Sequence, residues 1–273
     1  MSPHGKAGSR RARTPLDPDA LPPQGQRSNS AETMNSDSRG RNYNAKFYRQ
    51  LQAAGESPRQ VLPIVFEMVR PASLVDIGCG TGHWLAEARA LGIADILGID
   101  GPWVRQAQLA IPGENFAVRD LRAPVRLERR FDLALSLEVA EHLPASSAGT
   151  LVESLCRAAE VVVFSAAIPG QGGRRHINEQ WPEYWANLFQ QFGYDCFDCL
   201  RSRIWQNPRV AWYYAQNSLV FADPGKRSRL GEPGKPLPLV HPRLWAAEVE
   251  RGTRPGKLAE RLFKALLKRS TRR

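Results

Sequence analysis

Residues 136–144 read SLEVAEHLP and place Glu138, Glu141 and His142 within five positions, directly behind an apolar run. Two carboxylates beside an imidazole can serve three kinds of chemistry. Glu138 can be a helix N-terminal anion, with its neighbours capping and packing. His142 titrates near neutrality and can take a proton from a hydroxyl. Carboxylates and imidazole together can also hold a divalent cation that lowers a hydroxyl's pKa. On a helix starting there, Glu141 and His142 would fall at i+3 and i+4 from Glu138, all on one face. A second polar group follows in GQGGRRHINEQWPEYW, residues 170–185. Gly170, Gly172 and Gly173 predict a mobile loop. His176, Asn178, Glu179 and Gln180 converge behind it, and a later histidine is what a ligand set or a base pair would need.

The stretch VDIGCGTGHW, residues 75–84, carries the other chemistry. A strand ends at Asp76, and a loop of Gly78, Cys79, Gly80 and Gly82 leads into a helix. Glycines let backbone approach a ligand closely, and the helix start offers free N–H groups. The spacing is GxGxG. A dinucleotide fingerprint needs GxGxxG, and His83 stands where its third glycine belongs. Asp76 would repel a pyrophosphate but suits a cationic ligand. Asp100 closes the next strand and can accept from both ribose hydroxyls. Asp120 closes the third, where an adenine amino group would lie.

These groups need a scaffold that brings strand ends together. Five strand candidates occur: SLVDI (73–77), DILGID (95–100), FAVRD (116–120), FDLALSL (131–137) and VVVFSAAI (161–168). Most are continuous apolar runs, as expected of strands buried on both faces of a parallel sheet. Helices are expected at 83–91, 103–110, 147–158 and about 182–192. Another should start at Ser57-Pro58, with Ser57 as N-cap, and run to about Val69. YDCFDCLRSRIW and YYAQNSLVFAD suggest a closing antiparallel pair. The fold class is α/β: a doubly wound, seven-stranded, mostly parallel sheet with an antiparallel C-terminal hairpin. In such a sheet ligands bind outside the carboxyl ends of the strands, so SLEVAEHLP lies at the rim of the site.

On VDIGCGTG, the acid of LGID, the Asp-Leu of VRDL and FDLALSLEVAEHL, residues 73–223 resemble a class I S-adenosylmethionine (SAM)-dependent methyltransferase. The resemblance implies SAM as cofactor. Gly78, Cys79, Gly80 and Gly82 would hug its methionyl part, and Asp76 would orient the loop and the amino group. Asp100 would take the ribose, Asp120 with Leu121 would read the adenine, and Glu138 would face the cofactor. His142 or His176 would be the base, with Glu141 tied to a metal. The ExxEH pattern is similar to the active-site segment of ubiquinone-pathway O-methyltransferases and of small-RNA 2′-O-methyltransferases. There it supplies metal ligands together with a later histidine, a position His176 would fill. The HINEQWPEYW segment is similar to one in bacterial natural-product and glycan methyltransferases. It implies a small-molecule or saccharide hydroxyl as acceptor. RNA 2′-O-methylation and non-catalytic SAM binding are the rival readings.

Charge locates the rest. The formal net charge of +11 divides into +4 for residues 1–48 and +7 for residues 241–273, leaving 49–240 neutral. A basic nucleic-acid footprint on the folded core is therefore not implied, and RNA would have to engage the tails. Residues 1–42 form a basic leader too poor in apolar residues to fold, and translation could equally start at Met34. Residues 43–223 are the methyltransferase domain and 224–240 a Pro/Gly linker. Residues 241–273 are a basic helical end whose KLAERLFKALLKR is amphipathic, suited to its own domain or to an anionic membrane surface. No apolar run reaches a membrane span. Cys79, Cys156, Cys196 and Cys199 are read as reduced thiols of a cytoplasmic protein.

Overall fold

The computed structural model describes residues 45–253 and Gly256, without the side chains of 45–54, 226–228 and 253. The basic leader and KLAERLFKALLKR lie outside the described residues. Seven strands form one sheet: β1 (Ser73–Ile77), β2 (Asp95–Asp100), β3 (Phe116–Val118), β4 (Phe131–Leu137), β5 (Ala159–Ser165), β6 (Asp195–Phe197) and β7 (Leu219–Ala222). Their spatial order is β3-β2-β1-β4-β5-β7-β6. The first five are parallel, and β7 runs antiparallel between β5 and β6. The apolar runs explain this: every residue of β1 is buried, as are six of the seven in β4. Only a sheet covered on both faces buries both sides of a strand.

Helices supply those covers. On one face α1 (Ala45–Val69) packs against α2 (His83–Ala90) and α5 (Arg201–Ile204). On the other, α3 (Ala148–Ala158) packs against α4 (Pro182–Gln191) and β5. Trp185, Phe189, Phe164 and Phe221 fill that second layer, with the rings of Phe189 and Phe221 stacked 3.8 Å apart. Two further helices, α6 (Trp212–Asn217) and α7 (Pro242–Thr253), follow the sheet's far side. Strand order reverses between β1 and β4, so the crevice beyond Ile77 and Leu137 is where this topology binds ligands.

Several sequence expectations give way. The helix of Ser57-Pro58 starts earlier, at Ala45. Ser57 is buried, and its hydroxyl accepts the Ala211 N–H at 2.9 Å rather than capping α1. The expected helix at 103–110 is one 3₁₀ turn, Gln106–Gln108. The Ala110 N–H is spent on the Thr81 carbonyl at 2.8 Å, so the segment docks on the glycine loop instead of propagating. β3 stops at Val118, two residues before Asp120. The two long C-terminal strand candidates shorten to β6 and β7. Arg201 turns inward to pair with Asp198 and opens α5, while Trp212–Asn217 is helical.

Candidate functional site

The glycine loop leaves β1 with Gly78, Gly80 and Gly82 all at positive φ, of 93°, 55° and 83°. Gly78 is fixed by contact as well. A Cβ there would lie 2.4 Å from a methyl of Val139, so the loop and the turn after β4 touch. At Gly80 a Cβ would meet nothing within 4 Å, which leaves room for a ligand against the backbone. Cys79 is buried beneath the loop. Asp76 is 2% exposed, and burial, then the neighbouring Asp100, push its carboxyl up to about 8. Two buried acids side by side form a site that a cationic group would relieve. Asp100 holds the loop in place: its two oxygens accept the Gly80 N–H at 2.7 Å and the Gly101 N–H at 2.6 Å. A carboxylate has further lone pairs for ribose hydroxyls. Asp120 is exposed and engaged by the Arg122 guanidinium, which holds its carboxyl down at about 2. Leu121 beside it is buried.

Past β4 the chain turns sharply. Glu138 has φ of 57°, a left-handed conformation uncommon for a non-glycine residue. No α-helix begins there: Ala140–His142 is a single 3₁₀ turn, across which the Glu138 and Glu141 carboxyls are neighbours. The Glu138 carboxylate accepts Asn217 Nδ2 at 3.0 Å and Gln171 Nε2 at 3.1 Å. Burial raises its pKa, opposed by those donors and by Ser165.

Glu141 is fully buried; its carboxyl has that of Glu138 beside it, and no other side chain among the described residues donates to it. Burial, then the Glu138 charge, push its carboxyl up to about 9. The Glu141 carbonyl accepts the Ile177 and Asn178 N–H groups, and this tethers the later segment to the turn. The tether brings His176 to His142, ring centroids 4.9 Å apart and edge to face. Ligand atoms of Glu141, His142 and His176 all lie within 4.8 Å of one another. A buried carboxylate beside two imidazoles is a donor set that fits a divalent cation.

Both rings are oriented. His142 Nδ1 lies 3.3 Å from the Arg175 carbonyl, which only accepts, so Nδ1 carries the proton and Nε2 the lone pair. Burial lowers the His142 pKa, favouring the neutral ring. His176 Nδ1 lies 3.0 Å from Glu179 Oε1. Glu179 also accepts the Gly170 and Gly172 N–H groups at 2.8 Å, so the glycine-rich loop expected to be mobile is pinned. Gly173 packs on the His176 ring, where a Cβ would lie 2.2 Å from Nε2. Gln180 and Asn178 bond to each other and stay in the loop's base.

These groups line a cavity of about 1290 Å³. Its far walls are Trp212 and Tyr213 of α6 and Arg243, Ala247 and Arg251 of α7. The sequence pointed to none of these, because the two helices are called by no motif. Trp103 was equally unread. It is 70% exposed, and its ring covers Gly101 beside Asp100. Only its position just past the acid of β2 could have flagged it.

A methyltransferase-domain family matches residues 46–198, more than half of the chain. The walls at 208–251 lie beyond the matched region. No curated protein matches the chain. Among solved structures, it is similar to DesVI of Streptomyces venezuelae at 22% identity, over 47% of this chain and 58% of that one, with TM-score 0.38. Human N-acetylserotonin methyltransferase in complex with SAM is 14% identical over 65% of this chain and 54% of that one, TM-score 0.45. The methyltransferase domain of a bacterial CtHen1 is 18% identical over 62% and 97%, TM-score 0.46. The chain thus spans little more than half the length of the first two. The matched region runs from α1 through the glycine loop and the ExxEH turn to β6, and on it the chain belongs to the methyltransferase-domain family.

Proposed function

We propose that this protein methylates a hydroxyl of a small-molecule or saccharide-type acceptor held in the cavity between the ExxEH turn, α6 and α7. The observation that carries this reading is the buried Glu141 carboxyl beside two oriented imidazoles, all three lining a cavity of about 1290 Å³. Such a volume suits a whole small ligand. Trp212 and Tyr213 offer flat walls to a ring.

SAM, when bound, supplies a methyl group on a sulfonium leaving group. The protein's part is then to align the acceptor and remove its proton. Asp76 and the Gly78–Gly82 loop would take the methionyl end, Asp100 the ribose, and Asp120 with Leu121 the adenine. Glu138 would face the cofactor. His142, whose burial favours the neutral ring, would keep its Nε2 lone pair for the acceptor proton, or His176 would take that role with Nδ1 committed to Glu179. In a metal-assisted variant those lone pairs would instead join Glu141 in holding a divalent cation, which would lower the acceptor hydroxyl's pKa.

The test is methyl transfer from labelled SAM to a panel of hydroxyl compounds, with chelator and with Mg²⁺ or Mn²⁺ restored. His176→Ala should reduce turnover about 100-fold or more with SAM affinity unchanged. Glu141→Gln should abolish the melting-temperature rise that Mn²⁺ gives the parent protein. Unchanged turnover in His176→Ala sinks the assignment.

A second reading, the 2′-hydroxyl of RNA, is favoured by the same Glu141, His142 and His176 set and by the basic tails. Residues 49–240 are formally neutral, which weighs against it. Salt-dependent RNA binding that survives removal of residues 1–42 and 254–273 would reverse the ranking. Anionic membrane contact by the basic C-terminus is read out in parallel by vesicle co-sedimentation. Among the described residues no helix is long and apolar enough to cross a membrane.

A further inference from the structure

Behind Glu138 lies a chain of buried side-chain amides. The His241 backbone N–H, which can only donate, bonds Gln216 Oε1 at 2.8 Å. That fixes which end of the Gln216 amide is oxygen. Its Nε2 then donates to Asn217 Oδ1 at 2.9 Å and to Gln171 Oε1 at 3.0 Å. A second backbone donor, Ile168 N–H, also reaches Gln171 Oε1, at 3.3 Å. The orientations of Asn217 and Gln171 are therefore set by donors that cannot reverse. Asn217 Nδ2 adds a bond to Gln171 Oε1 at 3.0 Å. What remains at the near end is one N–H from each amide, and each takes a different oxygen of Glu138. Gln171, Gln216 and Asn217 are 7%, 0% and 4% exposed, so water does not compete for these bonds.

The arrangement has a specific consequence. Glu138 is in a left-handed backbone conformation that costs of order 1–3 kcal/mol and persists only where surroundings over-determine it. The amide pair supplies that determination, holding both carboxylate oxygens as acceptors in one plane. The turn it holds abuts the glycine loop through Val139 and Gly78. The far end of the network is His241, the residue before α7, which walls the acceptor cavity. The network thus runs from the His241 backbone N–H through three side-chain amides to Glu138.

We infer that Gln171 and Asn217 are positioning residues that fix the Glu138 carboxylate toward the sulfonium of bound SAM. This rests on the reading of Glu138 as cofactor-facing. The carboxylate is worth more to a cation than to a neutral ligand, so it should favour SAM over S-adenosylhomocysteine, which lacks the sulfonium charge. Loosening it should erase that preference, whereas mere structural damage would weaken both ligands alike.

The experiment is calorimetric titration of the full chain with SAM and with S-adenosylhomocysteine, for the parent protein, Gln171→Met, Asn217→Ser and Glu138→Gln. Gln171→Met conserves volume and removes the donor. Asn217→Ser shortens the side chain without adding buried charge, and serves if the former fails to fold. Expected is a loss of about tenfold in SAM affinity, with S-adenosylhomocysteine affinity changed less than about threefold, in both amide variants and in Glu138→Gln. Equal weakening of the two ligands, or no change in their ratio, overturns the inference. A parent protein that binds neither ligand would instead overturn the cofactor reading beneath it.

Discussion

Two carboxyls in this site have pKa values driven far upward by burial, and the consequences are opposite to those of a surface acid. Asp76 is pushed from the ordinary carboxylate range to about 8. Between about pH 4 and pH 8 the folded protein therefore holds a proton that the unfolded chain has lost. Stability must fall as pH rises through that window, by at most about 1.4 kcal/mol per pH unit from this group. Asp76→Asn removes the slope. Its ligand-free melting temperature at pH 8 should exceed the parent's by several degrees, while the two converge near pH 4. Calorimetric scans at the two pH values decide it, and a parallel pH profile in both proteins would refute the burial argument. Added SAM should erase the gain if its ammonium neutralises Asp76. Residue identity alone revealed the acid before the glycine loop. It could not reveal that Asp100 spends both oxygens on backbone amides, since those donors arrive from the folded loop.

Elements carry the acceptor side. α7 docks through Leu244, which is 4% exposed and the helix's buried anchor, while Trp245 on its outer face is 66% exposed. Leu244→Ala should loosen the wall at a cost of about 2–3 kcal/mol to the helix's docking. Because Leu244 lies in the cavity wall and the His241 N–H precedes the helix, acceptor KM should rise about tenfold while SAM affinity moves less than about twofold. Equal effects on both would mean that α7 supports the whole site. The parallel strands were legible because burial on both faces leaves continuous apolar runs, and β1, β2 and β4 match their expected ranges. The acceptor walls were not. Trp212–Asn217 reads as a strand from its aromatic pair, yet six residues of helix form there. Tertiary contacts override local propensity at that length. The ExxEH turn shows the same limit: in place of the expected helix face there is a left-handed Glu138 and a 3₁₀ turn, and the Glu138 carboxylate is met by Gln171 and Asn217, which no local pattern announces.

At the scale of the molecule, one buried cation ties the ends of the fold together. The Arg201 side chain is 2% exposed. It pairs with Asp198 and donates to the carbonyls of Gln216 at 3.2 Å and Leu237 at 2.9 Å. The Leu237 bond is one tie of the Pro-rich linker, beside the Gly234 N–H bond to the Cys196 carbonyl of β6 at 2.9 Å. Arg201→Ala leaves an unpaired acid and two carbonyls without donors, and should cost about 3 kcal/mol or more, read as a melting-temperature drop of roughly 10 °C. Arg201→Lys should recover less than half, because one ammonium cannot reach all three acceptors in the guanidinium's plane. Placing β7 between β5 and β6 constrains what can become of this protein. The matched region 46–198 ends at β6, yet the chain must return through the sheet before it can build α7. A graft of new acceptor-binding sequence after residue 198 cannot simply be appended. It must also bring a strand that slots into the gap with the same register, so acceptor range is free to drift by substitution along the walls and closed to replacement by truncation and fusion.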